Sequence, residues 1–209
     1  RFVDIVRKAQ AERGFASVVL TGGGNGIGLL KALAAMDSPF DWSAVDIYWG
    51  DDRFVAADSP DRNHRQAREA LLDYVPVDPA RVFPIAASDG EYGDDPDAAA
   101  EAYARVLAGR AADGSVPDFD LHLLGMGGEG HINSLFPETE ATRETERTVV
   151  AVRNSPKPPP TRVTLTLPAV NRSREVWMLV AGAEKADAVA AALNGASPDD
   201  IPAAGASGT

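Results

Sequence analysis

Cysteine is absent from this chain of 209 residues. Its absence excludes a disulfide framework, a thiolate zinc site and a cysteine nucleophile, and it favours a cytoplasmic protein. No segment approaches the roughly 20 consecutive apolar residues that span a bilayer. The N-terminal stretch RFVDIVRKAQAERG carries charges throughout, unlike the apolar segment of a signal peptide. We therefore expect no membrane partner.

Basic residues are in short supply. The chain has 20 Lys and Arg against 31 Asp and Glu, a formal net charge of −11. Such a surface repels nucleic acid, so we expect no nucleic-acid partner, and its charge suits a monomer. A small anion can still bind where a few Arg or Lys side chains converge. Each cluster of basic residues is therefore a candidate binding site.

The alternation of apolar runs with helical patterns predicts the fold. Short runs such as SVVLT, VDIYW, FDLHLL and EVWML alternate with amphipathic segments such as IGLLKALAAM and DPDAAAEAYARVLAG. This pattern indicates βαβ units, a mainly parallel sheet and helices on both faces. Together with 44% hydrophobic residues, it predicts a single α/β domain over residues 1–209.

Three unusual loops follow predicted strands, at the sheet edge where ligands bind in such folds. The first, TGGGNGIG (residues 21–28), offers backbone N–H groups to an anion at a helix start. It fits neither G-x-x-x-x-G-K-[ST] nor G-x-G-x-x-G, which removes support for ATP and NAD. The alternative is a tight turn without a ligand.

Two further segments carry candidate anion-binding cations. Arg53 lies in the second loop, WGDDRF. Its forked guanidinium could bind a phosphate, or it could form a structural ion pair with a local carboxylate. Lys157 and Arg162 bracket the proline run of SPKPPPTRVTL, which would hold both cations in fixed positions. The alternative for this segment is an ordinary surface loop with solvated charges.

The third loop, in LLGMGGEGHINSLFP, holds one of the three histidines. We expect His64 to be solvated and His122 to be a satisfied, partly buried strand residue. His131 lies among glycines, where packing does not require an imidazole. Glu129 could accept a hydrogen bond from it and fix its tautomer for proton abstraction from water. The histidines lack metal-ligand spacing, and no G-x-S-x-G supports Ser134 as a nucleophile.

In combination, these segments resemble the 6-phosphogluconolactonase family. The shared segments are LTGGGNG, WGDDRFV…NHRQAREALL, FDLHLLGMGGEGHINSLFP and SPKPPPTRVTLTLPAVN, in the same order. They extend from about Val18 to Pro202, and the most specific are G-H-x-x-S-L-F-P and K-P-P-x-x-R. The family shares a Rossmann-like α/β fold with glucosamine-6-phosphate deaminase.

The resemblance implies hydrolysis of a phosphorylated sugar lactone, 6-phosphoglucono-δ-lactone, in the oxidative pentose phosphate pathway, without a metal or organic cofactor. It implies His131 as the base, assisted by Glu129. The implied substrate contacts are Thr21, Gly22, Gly23, Asp51, Arg53, Lys157 and Arg162. It does not assign phosphate or sugar hydroxyls to the individual cations.

The sequence departs from the family pattern at several positions. Glu129 and Asp52 stand where the family usually has Asp and Glu, and Ile132-Asn133 replaces a commoner Thr-Ala pair. From the resemblance, another strand is expected before Arg1 and a final strand after Thr209. One alternative is a glucosamine-6-phosphate deaminase. In those enzymes the segment after the histidine contains a glutamate, in F-N-E-P, whereas here the segment after His131 continues SLFPET and lacks that glutamate. The other is a non-catalytic sugar-phosphate sensor.

Overall fold

A five-stranded parallel sheet forms the centre of the computed structural model, which describes residues 1–209. The strands, in chain order, are β1 (Ala16–Leu20), β2 (Val45–Trp49), β3 (Asp51–Arg53), β4 (Val82–Phe83), β5 (Leu121–Gly125), β6 (Val149–Val152), β7 (Arg162–Leu165) and β8 (Glu175–Leu179). The sheet has the order β4-β2-β1-β5-β8, and every neighbouring pair is parallel. The prediction of an α/β fold with a mainly parallel sheet is confirmed.

A second, antiparallel sheet of three strands was not predicted. It has the order β3-β7-β6. The residues after VDIYW were expected to form a loop, but Asp51–Arg53 form the strand β3. The chain changes sheets between Trp49 and Asp51, and β3 pairs with β7 instead of a parallel strand.

Gly50 joins the two sheets. Its N–H donates to the Leu20 carbonyl of β1 at 3.1 Å, and its carbonyl accepts from the Leu165 N–H of β7 at 2.8 Å. A Cβ at this position would lie 2.4 Å from the Asn133 Oδ1, so any side chain would collide with a buried amide. The change of sheet therefore requires glycine, and it places Asp51 and Arg53 at the edge of the parallel sheet.

Seven α-helices surround the sheets. They are α1 (Phe2–Arg13), α2 (Gly23–Ala34), α3 (Asn63–Ala67), α4 (Pro96–Arg110), α5 (Glu140–Arg143), α6 (Leu167–Val170) and α7 (Ala186–Leu193). A π-helical turn, Arg68–Leu72, continues α3. The Asp95 carboxylate caps α4 by accepting from the N–H groups of Asp97 and Ala98, which is why the helix begins where its acidic first turn predicts.

The main core is a cluster of 39 buried residues. All residues of β1 and β2 are buried, as expected of central parallel strands covered on both sides. The burial of this apolar surface is the main term that stabilises the domain. It also makes the ends of β1 and β5 rigid supports for the loops that follow them.

The strand order reverses between β1 and β5. From β1 the chain builds β2 and β4 on one side, and β5 and β8 lie on the other. A crevice outside the carboxyl ends of the strands is expected at such a reversal. The Gly125 N–H donates to the Thr21 Oγ1 at 3.2 Å, which ties the two loops together there.

No helix of the structure combines the length and the apolar character needed to cross a membrane.

Two histidines are more buried than the sequence suggested. His64 is half-buried with its ring edge against Trp49, so the expectation that it is solvated was wrong. His122 is 0% exposed; its Nδ1 lies 3.3 Å from the Ser173 Oγ and its Nε2 has no partner. Burial lowers the pKa of His122 to about 3 and, with the nearby Arg62 charge, the pKa of His64 to about 4.

We predict that His122 destabilises the fold as the pH falls. The unfolded chain binds a proton near the ordinary pKa of about 6.5, whereas the folded chain resists it down to about 3, so stability is lost through this window. The slope is about 1.4 kcal/mol per pH unit. Urea unfolding of the parent and His122→Leu between about pH 4.5 and about pH 6.5 should give a shallower slope for the variant. Identical slopes would contradict the buried, neutral state of His122.

Candidate active site

A cleft of about 510 Å³ opens at the carboxyl ends of β1 and β5. It contains the expected residues from all the predicted loops except Glu129, which is not part of its lining. The lining includes Thr21, Gly22, Gly23, Asp51, Arg53, His131, Lys157 and Arg162. Segments separated by more than 100 residues therefore form one site.

The lining of the cleft is positively charged, although the chain as a whole is acidic. Four cationic side chains reach it, and Asp51 is its single acidic side chain. The cations are Arg53, Lys157, Arg162 and Lys185. Against a net charge of −11, this local excess indicates an anionic ligand.

The glycine loop places the start of α2 at the cleft. Gly22 is the N-cap and supplies no side-chain cap, so the first N–H groups of this 12-residue helix keep their hydrogen-bonding capacity for another acceptor. Gly23, Gly24 and Asn25 line the cleft at this point. The helix dipole and these N–H groups favour a bound anion.

His131 and Glu129 form the hydrogen bond that the sequence led us to expect. The His131 Nδ1 lies 2.9 Å from the Glu129 Oε1, which fixes the proton on Nδ1 and leaves the Nε2 lone pair free. The imidazole ring stacks on Phe136 at 4.5 Å. A Cβ on Gly127 would lie 2.1 Å from the His131 Nδ1 and 2.6 Å from the Glu129 Oε2, so this pair fits only against glycine.

The environment of His131 favours a neutral imidazole. Burial lowers the pKa of His131, and the Lys157 charge acts in the same direction against the opposing effect of Glu129. For Glu129, burial alone would raise the pKa, but hydrogen bonds, including one from Lys157, outweigh it and hold the pKa below its ordinary value. The pair is thus a neutral base beside an ionised carboxylate.

Lys157 contacts Glu129 directly. Its Nζ donates to the Glu129 Oε2 at 2.9 Å, while Oε1 of the same carboxylate faces His131. The alternative of a surface loop with solvated charges therefore does not hold for Lys157, although its side chain is 46% exposed.

The Arg53 guanidinium donates hydrogen bonds within the protein but forms no salt bridge. Its Nη1 donates to the Asp61 carbonyl at 3.1 Å and to the Asn63 Oδ1, and no carboxylate lies within 4.0 Å of the guanidinium group. The structural ion pair considered from the sequence is not formed. Arg53 lies opposite Arg162 in the register of β3 and β7, so two guanidinium groups are neighbours at the cleft.

Arg162 is a buried anchor of the proline loop. Its side chain is 4% exposed and donates to the carbonyls of Lys157 at 2.9 Å, Pro158 at 3.3 Å and Pro159 at 3.0 Å. Burial lowers the pKa of Arg162, and the Arg53 charge adds to the effect, while Asp51 opposes it. A solvated charge was the wrong alternative here as well.

At the cleft, Asp51 accepts hydrogen bonds from two side chains. Its Oδ2 accepts from the Ser134 Oγ at 2.6 Å, and its Oδ1 accepts from the Asn63 Nδ2 at 3.1 Å. Ser134 is fully buried, donates to a carboxylate and has no histidine partner, which argues against it as a nucleophile.

Asp52 is buried with its Oδ2 3.0 Å from the Arg62 Nε. Burial raises the pKa of Asp52 to about 6 against the opposing effect of Arg62.

Sequence reasoning missed Asn63, Asn133 and Lys185, which all line the cleft. Asn133 is 7% exposed with φ 48°, and neither atom of its amide has a partner. Its departure from the family pattern was the only signal. Lys185 follows β8, and its position after a parallel strand could have identified it. No group of three or more His, Asp or Glu side chains is arranged to hold a metal ion.

Comparisons with known proteins agree with this geometry. The family model described as "Glucosamine-6-phosphate isomerases/6-phosphogluconolactonase" matches residues 1–209. The 6-phosphogluconolactonase of Mycobacterium tuberculosis is 59% identical over 209 residues, covering 100% of this chain and 85% of that protein. The 6-phosphogluconolactonase of Streptomyces coelicolor is 55% identical over 213 residues, covering 100% and 82%.

Among solved structures, the 6-phosphogluconolactonase of Thermotoga maritima superposes with a TM-score of 0.85 at 28% identity, covering 100% of this chain and 88% of that chain. The match of the family model extends over every loop that builds the cleft. The chain therefore belongs to the glucosamine-6-phosphate isomerase/6-phosphogluconolactonase family.

Proposed function

We propose that the protein hydrolyses 6-phosphoglucono-δ-lactone to 6-phosphogluconate, a step of the oxidative pentose phosphate pathway. The observation that carries the proposal is an imidazole hydrogen-bonded to a carboxylate, 2.9 Å from His131 Nδ1 to Glu129 Oε1, in a cleft lined by four cations. Relatives that match this whole chain at 59% and 55% identity are 6-phosphogluconolactonases. We also propose a monomeric enzyme, which the strongly charged, acidic composition supports.

The phosphate binds to the cations of the cleft that lack a salt-bridge partner. The guanidinium group of Arg53 and the ammonium group of Lys185 have no carboxylate within 4.0 Å, and the uncapped N-terminus of α2 lies in the same cleft. A dianion there relieves the repulsion between the neighbouring guanidinium groups of Arg53 and Arg162. The anchored phosphate then directs the lactone ring toward His131.

The chemistry requires one water molecule and one base. The His131 Nε2 removes a proton from water as the oxygen attacks the lactone carbonyl carbon, and Glu129 stabilises the imidazolium that forms. Backbone N–H groups of the glycine-rich loop and the nearby cations stabilise the oxyanion. The bond from the carbonyl carbon to the ring oxygen then breaks, and His131 returns its proton to that oxygen.

A direct assay tests the function. Purified protein should hydrolyse 6-phosphoglucono-δ-lactone with a far higher kcat/KM than glucono-δ-lactone, because the cation-lined cleft binds the phosphate dianion. It should release no ammonia from glucosamine 6-phosphate. Ammonia release would instead identify a deaminase, and saturable binding of 6-phosphogluconate without hydrolysis would identify a sensor.

His131→Ala should lower kcat by about 10²–10⁴-fold, the usual contribution of a general base. The parent should show an acid limb in its pH–rate profile below about pH 6.5, because the pKa of His131 is lowered and the base must be neutral. Stopped or coupled assays over this range measure both effects, with urea unfolding as the control for the fold. A near-normal kcat in His131→Ala would remove His131 from the mechanism.

Arg53→Ala should raise KM for the phosphorylated lactone by about 10-fold to 100-fold, the loss expected for one charge-assisted contact of about 1.5–3 kcal/mol. The kcat at saturation should change much less. Kinetics on the unphosphorylated lactone provide the control, since that substrate has no dianion to lose. If Arg53→Ala left KM unchanged, Arg53 would have only its structural contacts with Asp61 and Asn63.

A further inference from the structure

Lys157 shares the carboxylate that orients the base. The Glu129 Oε1 lies 2.9 Å from the His131 Nδ1, and the Glu129 Oε2 accepts from the Lys157 Nζ at 2.9 Å. The three groups form a continuous chain from the proline loop to the imidazole. Because each oxygen of the carboxylate has its own partner, rotation of Glu129 would break both contacts.

The backbone around Lys157 is fixed by its own hydrogen bonds. The Lys157 carbonyl accepts from the Arg162 Nη2 at 2.9 Å and from the Ser155 Oγ at 3.0 Å. The Ser155 N–H donates to the Pro160 carbonyl at 2.9 Å, which closes the loop. These hydrogen bonds hold the Lys157 backbone next to Glu129, so little conformational entropy of the loop is lost when substrate binds.

The charge of Lys157 is already matched, unlike the charges of Arg53 and Lys185. The Lys157 ammonium group pairs with Glu129, whereas no carboxylate lies within 4.0 Å of the Arg53 guanidinium or the Lys185 ammonium group. A phosphate bound to Lys157 would have to compete with Glu129 and would draw the cation away from it. The pairing with Glu129 therefore separates Lys157 from Arg53 and Lys185, whose charges remain available for a ligand.

We propose that Lys157 is a positioning residue for the base His131, acting through Glu129, and does not bind the phosphate. This inference rests on the proposed function. Lys157 holds the Glu129 carboxylate ionised and aimed at Nδ1, so that Nε2 faces water. Three charged groups act on the imidazole: Glu129, Lys157 and Asp51. The Arg162 guanidinium lies over the Phe136 ring, on which His131 also stacks.

The test compares two Lys→Met variants in the same cleft on two substrates. Lys157→Met should lower kcat by about 10-fold to 100-fold for both 6-phosphoglucono-δ-lactone and glucono-δ-lactone, because a poorly oriented base affects both equally. Its acid limb should move to higher pH, since a cation that disfavours the imidazolium is lost. Lys157→Arg should restore most of the kcat. The matched control Lys185→Met should raise KM for the phosphorylated lactone alone.

A double-mutant cycle examines the route through Glu129. In the Glu129→Gln background, Lys157→Met should change kcat much less than it does in the parent, because its partner is already neutral. Equal effects in both backgrounds would overturn the inference. It would also be overturned if Lys157→Met raised KM for the phosphorylated lactone alone and left kcat and the acid limb in place.

Failure of the inference and failure of the proposed function give different results. If the parent hydrolyses neither lactone, the proposed function is wrong. The coupling of Lys157 to His131 is then read without turnover, from the imidazole titration followed by NMR. A raised His131 pKa in Lys157→Met, with an unchanged pKa in Lys185→Met, supports the coupling. An unchanged His131 pKa in Lys157→Met contradicts it.

Discussion

The shared Glu129 carboxylate is the interaction on which the site depends. It holds His131 on one oxygen and Lys157 on the other, so it sets the tautomer of the imidazole and neutralises a cation of the proline loop. Burial keeps the pKa of His131 low, and Glu129 offsets only part of that effect. A base that is neutral yet firmly oriented is what attack by water on an ester requires.

The fold supplies the second constraint. The loops after β1 and β5 lie where the strand order reverses, and the bond from Gly125 to Thr21 joins them. Gly50 then takes the chain from the parallel sheet into the antiparallel one, which carries Arg53 and Arg162 to the same cleft. Cations of the antiparallel sheet therefore share one cleft with the base, which lies in the loop after β5 of the parallel sheet.

The sequence predicted these parts unequally. Apolar alternation predicted the parallel sheet and placed three loops at one edge, because strand-end loops obey a topological rule. It could not reveal the antiparallel sheet, since a single glycine between Trp49 and Asp51 gives no period from which to detect a change of sheet. The proximity of Glu129 and His131 was predictable from their spacing. The burial of Arg162 and the orphaned Asn133 amide depend on tertiary contacts that no local pattern encodes.

The proposed mechanism depends on Glu129 holding His131 as a neutral imidazole with its proton on Nδ1. Nitrogen-15 NMR of the labelled protein, with His131→Ala to assign the resonance, measures this directly. We expect the Nδ1–H tautomer at neutral pH and a titration midpoint below the ordinary histidine value of about 6.5. An Nε2–H tautomer, or a midpoint above about 7, would contradict it.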